Sequence, residues 1–175
     1  MARMTKRQLT MLRSLDTRKG RDETGLFLVE GLRLCAEMSA ARFKAELALV
    51  ADEARERPEV AALAARLAAA GAEVVEAPMS EVERVSETVT CQGIVAAARW
   101  REVEPAALRF GERAMVAVLD NVSDPGNAGT VIRTAAWFGA AAALLGKGCV
   151  DPLNPKVVRA TMGGLFHVPV CRDVA

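Results

Sequence analysis

The last third of the chain alternates short apolar runs with helix-like segments, and this alternation restricts the fold more than any other feature. MVAVLD (Met115 to Asp120) is an almost continuous apolar strand, which is typical of a parallel sheet covered on both faces. The elements predicted after it are a helix over 128–139, a strand over 141–145, a helix over 155–162 and a strand LFHVPV over 165–170. Residues 114–175 therefore predict a βαβαβ unit with a parallel sheet.

The first part of the chain predicts a second, small α/β domain over residues 1–98. Ser80 and Glu83 have the spacing of a capping box and predict a short helix. Residues 99–113 are charged, are interrupted by Pro105 and Gly111, and predict a linker. The predicted strands are LFLVE (26–30), AELALVA (45–51), EVVEA (73–77) and GIVAAA (93–98), and the longer predicted helices cover 31–40 and 58–70.

Composition and segment length exclude several classes of protein. With 175 residues, 51% of them hydrophobic, the chain can bury a core and is not a disordered protein. Its longest apolar run, from Thr134 to Gly146, is shorter than the roughly 20 residues that cross a bilayer. MARMTKRQLT lacks the apolar core of a secretory signal, so we expect a cytoplasmic protein with no membrane partner. The four cysteines are scattered, and we expect neither a metal site nor a disulfide framework.

A polar turn follows the apolar strand in LDNVSDPGNAGTVIRTAAWFGA, which covers Leu119 to Ala140. The turn lies at the carboxyl end of a predicted parallel strand, where open α/β sheets bind their ligands. Asn127 is a predicted N-cap, and free N–H groups from Ala128 to Thr130 could face an anion or a ribose hydroxyl. Arg133 either acts at this site or forms a structural ion pair. No glycine-rich phosphate loop of the GxGxxG or GxxxxGK[ST] type is present.

Four segments resemble the SpoU (TrmH-like) RNA ribose 2′-O-methyltransferases of the SPOUT superfamily, and together they extend along nearly the whole chain. The turn just described resembles the first signature motif of that family, and Thr161 stands where the family pattern has serine. The other three segments are RKGRDETGLFLVEGLRLCAEM (18–38), CQGIVAAA (91–98) and NPKVVRATMGGLFHVPV (154–170).

The resemblance implies an amino-terminal RNA-recognition domain and a SPOUT-type catalytic domain, which is normally tied in a trefoil knot. It implies transfer of a methyl group from S-adenosylmethionine to a ribose 2′-hydroxyl of rRNA or tRNA, by a homodimer. The two later motifs of the family hold most of the cofactor pocket and do not occur in the sequence. We therefore expect an incomplete catalytic domain, with the cofactor-binding residues beyond Ala175.

By the same resemblance, Asn127 and Arg133 are the first-motif residues of the active site. Family proposals make Arg133 a base, but a guanidinium keeps its proton at neutral pH. Our hypothesis is that Arg133 stays charged, clamps the adjacent phosphate and stabilises the developing alkoxide, while Asn127 fixes the loop and contacts the ribose. His167 lies in a predicted apolar strand and is expected to be structural.

Basic residues outside the turn are the candidates for RNA binding. Residues 1–21 carry seven cations and one carboxylate, whereas the whole chain has a net charge of only +1, so this segment is either a phosphate contact or a solvated arm. With few aromatic residues, the chain is expected to recognise the shape and backbone of folded RNA. Lys156 and Arg159 would grip phosphates or form a solvated pair. The candidates in the amino-terminal segment are Arg18, Lys19 and Arg21.

Two other functions remain open from the residues alone. The chain could be a non-catalytic RNA-binding or assembly module that ends at Ala175, or a nucleotide-linked oxidoreductase built on the βαβαβ half. A coding sequence that continues in frame with the two later motifs would favour the methyltransferase over the module. Binding of NAD without binding of S-adenosylmethionine would favour the oxidoreductase.

Overall fold

A computed structural model describes residues 1–86, 88 and 91–175. The chain divides into two compact units, Met1–Trp100 and Arg101–Ala175. None of the helices among the described residues combines the length and the hydropathy that a membrane span requires.

A mixed sheet forms the centre of the first unit, in the strand order β1-β4-β3-β5-β2 among the described residues. β3 (Ala45–Ala51) pairs in parallel with β4 (Glu73–Ala77) and antiparallel with β5 (Ile94–Arg99), and β5 pairs antiparallel with β2 (Leu26–Glu30). The buried strands are almost wholly apolar, as a sheet covered on both faces requires. The other elements are β1 (Ala2–Arg3), α1 (Lys6–Ser14), α2 (Arg18–Thr24), α3 (Leu32–Ala40), α4 (Pro58–Ala69) and α5 (Met79–Glu83).

The basic segment at the amino terminus is folded, contrary to the alternative of a free solvated arm. Thr5 caps α1 in a reciprocal capping box: the Gln8 N–H donates to Thr5 Oγ1, and the Thr5 N–H donates to Gln8 Oε1. The Thr17 side chain caps α2 in the same way through the Gly20 N–H. Leu12 is fully buried, so the two helices form part of the core of this unit.

Two details at the end of the first unit differ from the sequence prediction. The helix predicted from the Ser80–Glu83 capping box begins two residues earlier, at Met79, and its N-cap is Pro78, which makes no side-chain hydrogen bond. The unit also extends past residue 98, because the ring of Trp100 packs edge-on against Phe27 with the ring centroids 5.9 Å apart.

The second unit is the predicted βαβαβ arrangement. Its three described strands form a parallel sheet in the order β6-β7-β8. Val116 is in register with Ala142, and Ala143 with Val170. The elements are a 3₁₀ turn (Pro105–Ala107), β6 (Val116–Leu119), α6 (Pro125–Trp137), β7 (Ala142–Gly146), α7 (Pro155–Ala160), a second 3₁₀ turn (Gly164–Phe166) and β8 (Val170–Val174).

The last strand lies later in the chain than LFHVPV predicts. Gly163, with φ of 95°, leads into the second 3₁₀ turn, which takes up the start of the predicted strand. Pro169 has no N–H to donate to the ladder, and β8 begins directly after it. His167 is therefore outside any strand and is exposed, so the expectation that it occupies an apolar strand is wrong.

Glycines allow α6 to approach the segment around α7 very closely. A Cβ at Gly129 would lie 2.4 Å from Ala160 Cβ, and a Cβ at Gly164 would lie 2.8 Å from Arg133 Cα. Real Cβ atoms essentially never make such contacts. The main chain of α6 is therefore held against this segment at both places.

We predict that Gly129→Ala lowers the free energy of unfolding. Alanine normally stabilises a helix interior relative to glycine by about 0.5–1 kcal/mol, but here the added methyl would overpack the contact with Ala160, at a cost of about 1–3 kcal/mol. Urea denaturation measures the difference. Gly111→Ala is the matched control, because no atom lies within 4 Å of a Cβ at that position. A Gly129→Ala variant as stable as the control would contradict the close packing.

Candidate active site

The loops that follow β6 and β7 are bonded to each other at the carboxyl edge of the sheet. The Val150 N–H donates to Val122 O at 2.9 Å. Cys149 Sγ lies 3.2 Å from Leu119 O and also accepts the Val122 N–H. These bonds hold the turn after β6 against the neighbouring loop, so the start of α6 is presented from a fixed edge.

Asp124, and not Asn127, is the N-cap of α6. The Asp124 carboxylate accepts the Asn127 N–H at 2.7 Å, and Pro125 occupies the first helical position. Because the helix begins three residues earlier than predicted, the Ala128 N–H already donates to Asp124 O and is not free. The carboxylate thus serves as the cap, and the exposed amide side chain of Asn127 is available to an external partner.

Arg133 combines a fixed main chain with an unpartnered side chain. Its Cα packs against Gly164, while its side chain is exposed and forms no hydrogen bond or ion pair within the part of the chain that the structure describes. The alternative of a structural ion pair is therefore not observed there. Arg133 lies six residues after Asn127, about 9 Å along the helix axis. The two positions also differ by about 120° around the axis, so a bound sugar–phosphate unit, and not a direct contact, would have to connect the two side chains.

The second candidate segment forms α7 as its sequence predicts. Asn154 Oδ1 accepts the Lys156 N–H at 2.9 Å, and Pro155 occupies the first helical position. The Lys156 side chain is exposed and has no ion pair among the described residues, whereas Arg159 is half-buried. Thr161 is fully buried and donates its hydroxyl to Val158 O at 2.7 Å, a bond that a serine could also make.

Sequence reasoning missed Lys147, which lies at the carboxyl end of β7 beside the same edge. Its side chain is exposed and has no ion pair within the described residues, while its N–H is bonded to Val174 O at 3.2 Å. The sequence signal is the segment GKG (146–148) at the end of a buried parallel strand, next to the strand that is followed by the turn with Asn127.

The three candidates of the amino-terminal segment do not share one environment. Arg18 and Lys19 are exposed and form ion pairs one helical turn along α2, with Asp22 at 3.5 Å and Glu23 at 3.8 Å. Arg21 is only 3% exposed, and its Nη1 donates to the carbonyls of Leu15 and Asp16 at 2.9 and 2.8 Å. Arg21 therefore joins α1 to α2 in the interior and is not a surface contact for RNA.

Two of the four cysteines have thiols whose pKa is raised. Burial raises the pKa of the Cys35 thiol to about 12, and burial, helped by the charges of Glu102 and Glu104, also raises the pKa of Cys171. Both thiols are therefore protonated at neutral pH and are poor nucleophiles. Among the described residues, no group of three or more His, Cys, Asp or Glu side chains could hold a metal ion.

Comparison with known proteins gives two family matches. Residues 6–96 match the MRM3-like substrate binding domain, and residues 114–174 match the SpoU rRNA methylase family. Among curated relatives, the chain is 34% identical over 160 residues to the 23S rRNA (guanosine(2553)-2′-O)-methyltransferase RlmP of Bacillus subtilis, covering 91% of this chain and 59% of RlmP. It is 30% identical to the mitochondrial rRNA methyltransferase 3 of mouse, covering 97% of this chain and 40% of the relative.

Solved structures agree with these matches. An rRNA methyltransferase of Sinorhizobium meliloti with bound AdoMet superposes with a TM-score of 0.86 at 31% identity, covering 99% of this chain and 64% of that protein. The chain thus spans about 40 to 64% of the length of these three proteins. Both units have their counterpart in the family matches, and the chain belongs to the SpoU methyltransferase family, with an MRM3-like substrate-binding domain before a SPOUT-type domain.

Proposed function

We propose that this chain supplies the RNA-binding and ribose-positioning residues of an S-adenosylmethionine-dependent rRNA ribose 2′-O-methyltransferase. The observation that carries the proposal is the capped turn after β6, which leaves the Asn127 amide and the Arg133 guanidinium available at the ligand-binding edge of a parallel sheet. The names of the relatives in Bacillus subtilis and mouse support rRNA as the substrate class. The bacterial relative also supports a cytoplasmic location.

The proposal divides the work between two domains. Residues 1–100 recognise folded RNA, 101–113 form the linker, and 114–175 belong to the catalytic domain. The match of residues 6–96 to a substrate-binding family supports the first assignment. Arg18 and Lys19 remain candidates on the surface of that domain, although each already has an acidic neighbour on α2.

In this mechanism Arg133 stays charged throughout. Its planar guanidinium binds the phosphate next to the target ribose through two parallel hydrogen bonds and stabilises the negative charge that develops on the 2′-oxygen. The Asn127 amide contacts the ribose and holds its hydroxyl in place. Because methyl transfer is an in-line displacement, correct placement of the hydroxyl can supply a large part of the rate enhancement.

The cofactor is S-adenosylmethionine by analogy with the relatives, and it supplies the methyl group as a sulfonium. One groove of the second unit, of about 270 Å³ along β6 and α6, does not fit it, because this groove is lined by apolar side chains and two threonines, without a charged or amide group for the amino-acid end of the cofactor. The cofactor-binding residues are therefore expected in the remainder of the family's catalytic domain.

A hybrid protein tests the proposed function. Residues 1–174 of this chain, continued by the part of RlmP that follows the matched region, are incubated with tritiated S-adenosylmethionine and unmodified 23S rRNA transcript. We expect tritium in a 2′-O-methylnucleoside after digestion. RlmP is the positive control, and cofactor binding by the hybrid is measured separately. A hybrid that binds the cofactor as RlmP does, yet methylates a base or nothing, would refute the proposal.

The role of Arg133 predicts a large effect of a conservative change. In the hybrid, Arg133→Lys keeps the charge but loses the bidentate geometry, so we expect kcat to fall by about 10- to 100-fold. Turnover is measured as a function of pH. Near-normal turnover with an unmoved pH profile would contradict the clamp.

Lys156 and Arg159 are proposed to bind phosphates beside the methylated ribose. In the 175-residue chain, Lys156→Gln/Arg159→Gln should reduce the slope of log Kobs against log salt concentration by about 1.5, because each lost contact removes about 0.7 to 0.9. Fluorescence anisotropy with a labelled rRNA fragment measures the slope. Arg109→Gln/Arg113→Gln removes the same charge from the linker and is the control. An unchanged slope would exclude both residues from the interface.

We also propose a homodimer, with a second copy covering the apolar face of α6 and β6. Val118 is 71% exposed, Trp137 85% and Phe138 70%, which is unusual for a sheet of this type. We expect Phe138→Lys to convert dimer to monomer in sedimentation velocity, whereas Phe110→Lys, outside this groove, should not. An unchanged chain that sediments as a monomer at tens of micromolar would contradict the proposed face.

A further inference from the structure

The exposed face of α1 carries several cations whose side chains form no ion pair or hydrogen bond within the described residues. Within the described part of the first unit, at least eight cations have an ion pair with a carboxylate, including Arg3, Lys44 and Arg99. Four others have no hydrogen bond or ion pair from the side chain: Lys6, Arg7, Arg13 and Arg33. Three of these four lie on α1.

Helical geometry brings the three cations of α1 together. Lys6 and Arg13 are seven residues apart and lie almost above one another, and Arg7 is one residue, about 100°, from Lys6. All three are exposed, with exposed Thr10 between them, while the opposite face carries buried Leu12. α1 contains no acidic residue. The outer face of this helix is therefore a continuous basic stripe.

The position of this stripe is unfavourable for the folded chain alone. Lys6 and Arg7 lie in the first turn of α1, where the helix dipole favours negative charge and where no acidic residue is present. α2 carries its cations with acidic partners one turn away. α1 has no acidic residue that could offset the repulsion between its own cations. Cations placed where the helix dipole disfavours them, without acidic neighbours to offset the cost, are typical of a functional surface.

The acidic groups near α1 are already engaged. A recess of about 510 Å³ beside the amino end of the helix is lined by Lys6 and also by Glu76 and Glu81. Glu76 faces Arg55 at 3.4 Å, and Glu81 faces Arg84 at 3.8 Å. Glu73 accepts a hydrogen bond from the Gln8 side chain. The recess is thus internally neutralised, and the outer face of α1 is the unneutralised surface.

We propose that Lys6, Arg7 and Arg13 on α1 form the RNA phosphate-contacting surface of the first unit, in place of the α2 residues. A polyanion supplies the charges that the stripe lacks, and Lys6 and Arg13 are separated by about 10 Å along the helix, a length over which one strand of a duplex carries about three phosphates. This inference rests on the proposed function and specifies which surface of the substrate-binding unit contacts RNA.

The test compares two charge-matched triple variants of the 175-residue chain. Lys6→Gln/Arg7→Gln/Arg13→Gln removes unpartnered cations, and Lys44→Gln/Arg57→Gln/Arg99→Gln removes cations that already face a carboxylate. The probe is a fluorescein-labelled RNA hairpin with a stem of about 16 base pairs. At about 100 mM salt, the α1 variant should bind at least 10-fold more weakly and reduce the salt slope by about 2. The control should change far less.

A second measurement needs no variant. Acetylation of lysines by sulfo-NHS-acetate, read by mass spectrometry, should be slowed at Lys6 by the hairpin and unchanged at Lys44. Equal loss of affinity in the two variants, or no protection of Lys6, would overturn this inference and leave the proposed function standing. If the unchanged chain showed no salt-dependent binding of RNA, both would fall.

Discussion

One hydrogen bond, from the Asn127 N–H to the Asp124 carboxylate, determines what the candidate site can offer. If Asn127 capped the helix, its side chain would be used to satisfy main-chain N–H groups. Asp124 does this instead, and a helix that begins at Pro125 carries the Asn127 amide on its first turn. Further along the same helix, contact with Gly164 fixes the main chain of Arg133 and leaves its guanidinium exposed. The site thus depends on a cap and on glycines, which position the two candidate side chains.

The ion pairs and hydrogen bonds of the cations distinguish structural residues from candidates for binding RNA, which their position in the sequence does not. Arg21 lies in the most basic segment but is buried against two carbonyl oxygens, where it joins two helices. Arg18 and Lys19 balance acidic neighbours on their own helix. Lys6, Arg7 and Arg13 in the first unit, and Arg133 and Lys156 in the second, have no partner among the described residues and remain available to an external anion. A net charge of +1 conceals this division.

Elements with a strong periodic pattern could be predicted from the sequence. β3 and β4 occupy the predicted residues, α4 ends within one residue of the prediction, and the parallel order of the second sheet follows from the βαβαβ pattern. The helices of the basic segment were not predicted, because most of their residues are polar and only a few apolar residues around Leu12 pack into the core. The burial of Arg21 depends on three-dimensional packing, which the local sequence does not encode. The Asp124 cap could have been predicted, because aspartate is a favoured N-cap and Pro125 after it favours the first helical position. LFHVPV is apolar enough for a strand, but the glycines before it and Pro169 within it shift the strand to Val170.

The central claim is that the turn after β6 presents Asn127 and Arg133 to a sugar–phosphate unit. A crystal structure of this chain with a bound fragment of 23S rRNA tests it most directly. The account predicts a guanidinium nitrogen of Arg133 within about 3 Å of a phosphate oxygen and the Asn127 amide against the neighbouring ribose. RNA bound to the chain with this turn facing solvent, away from every nucleotide, would contradict it.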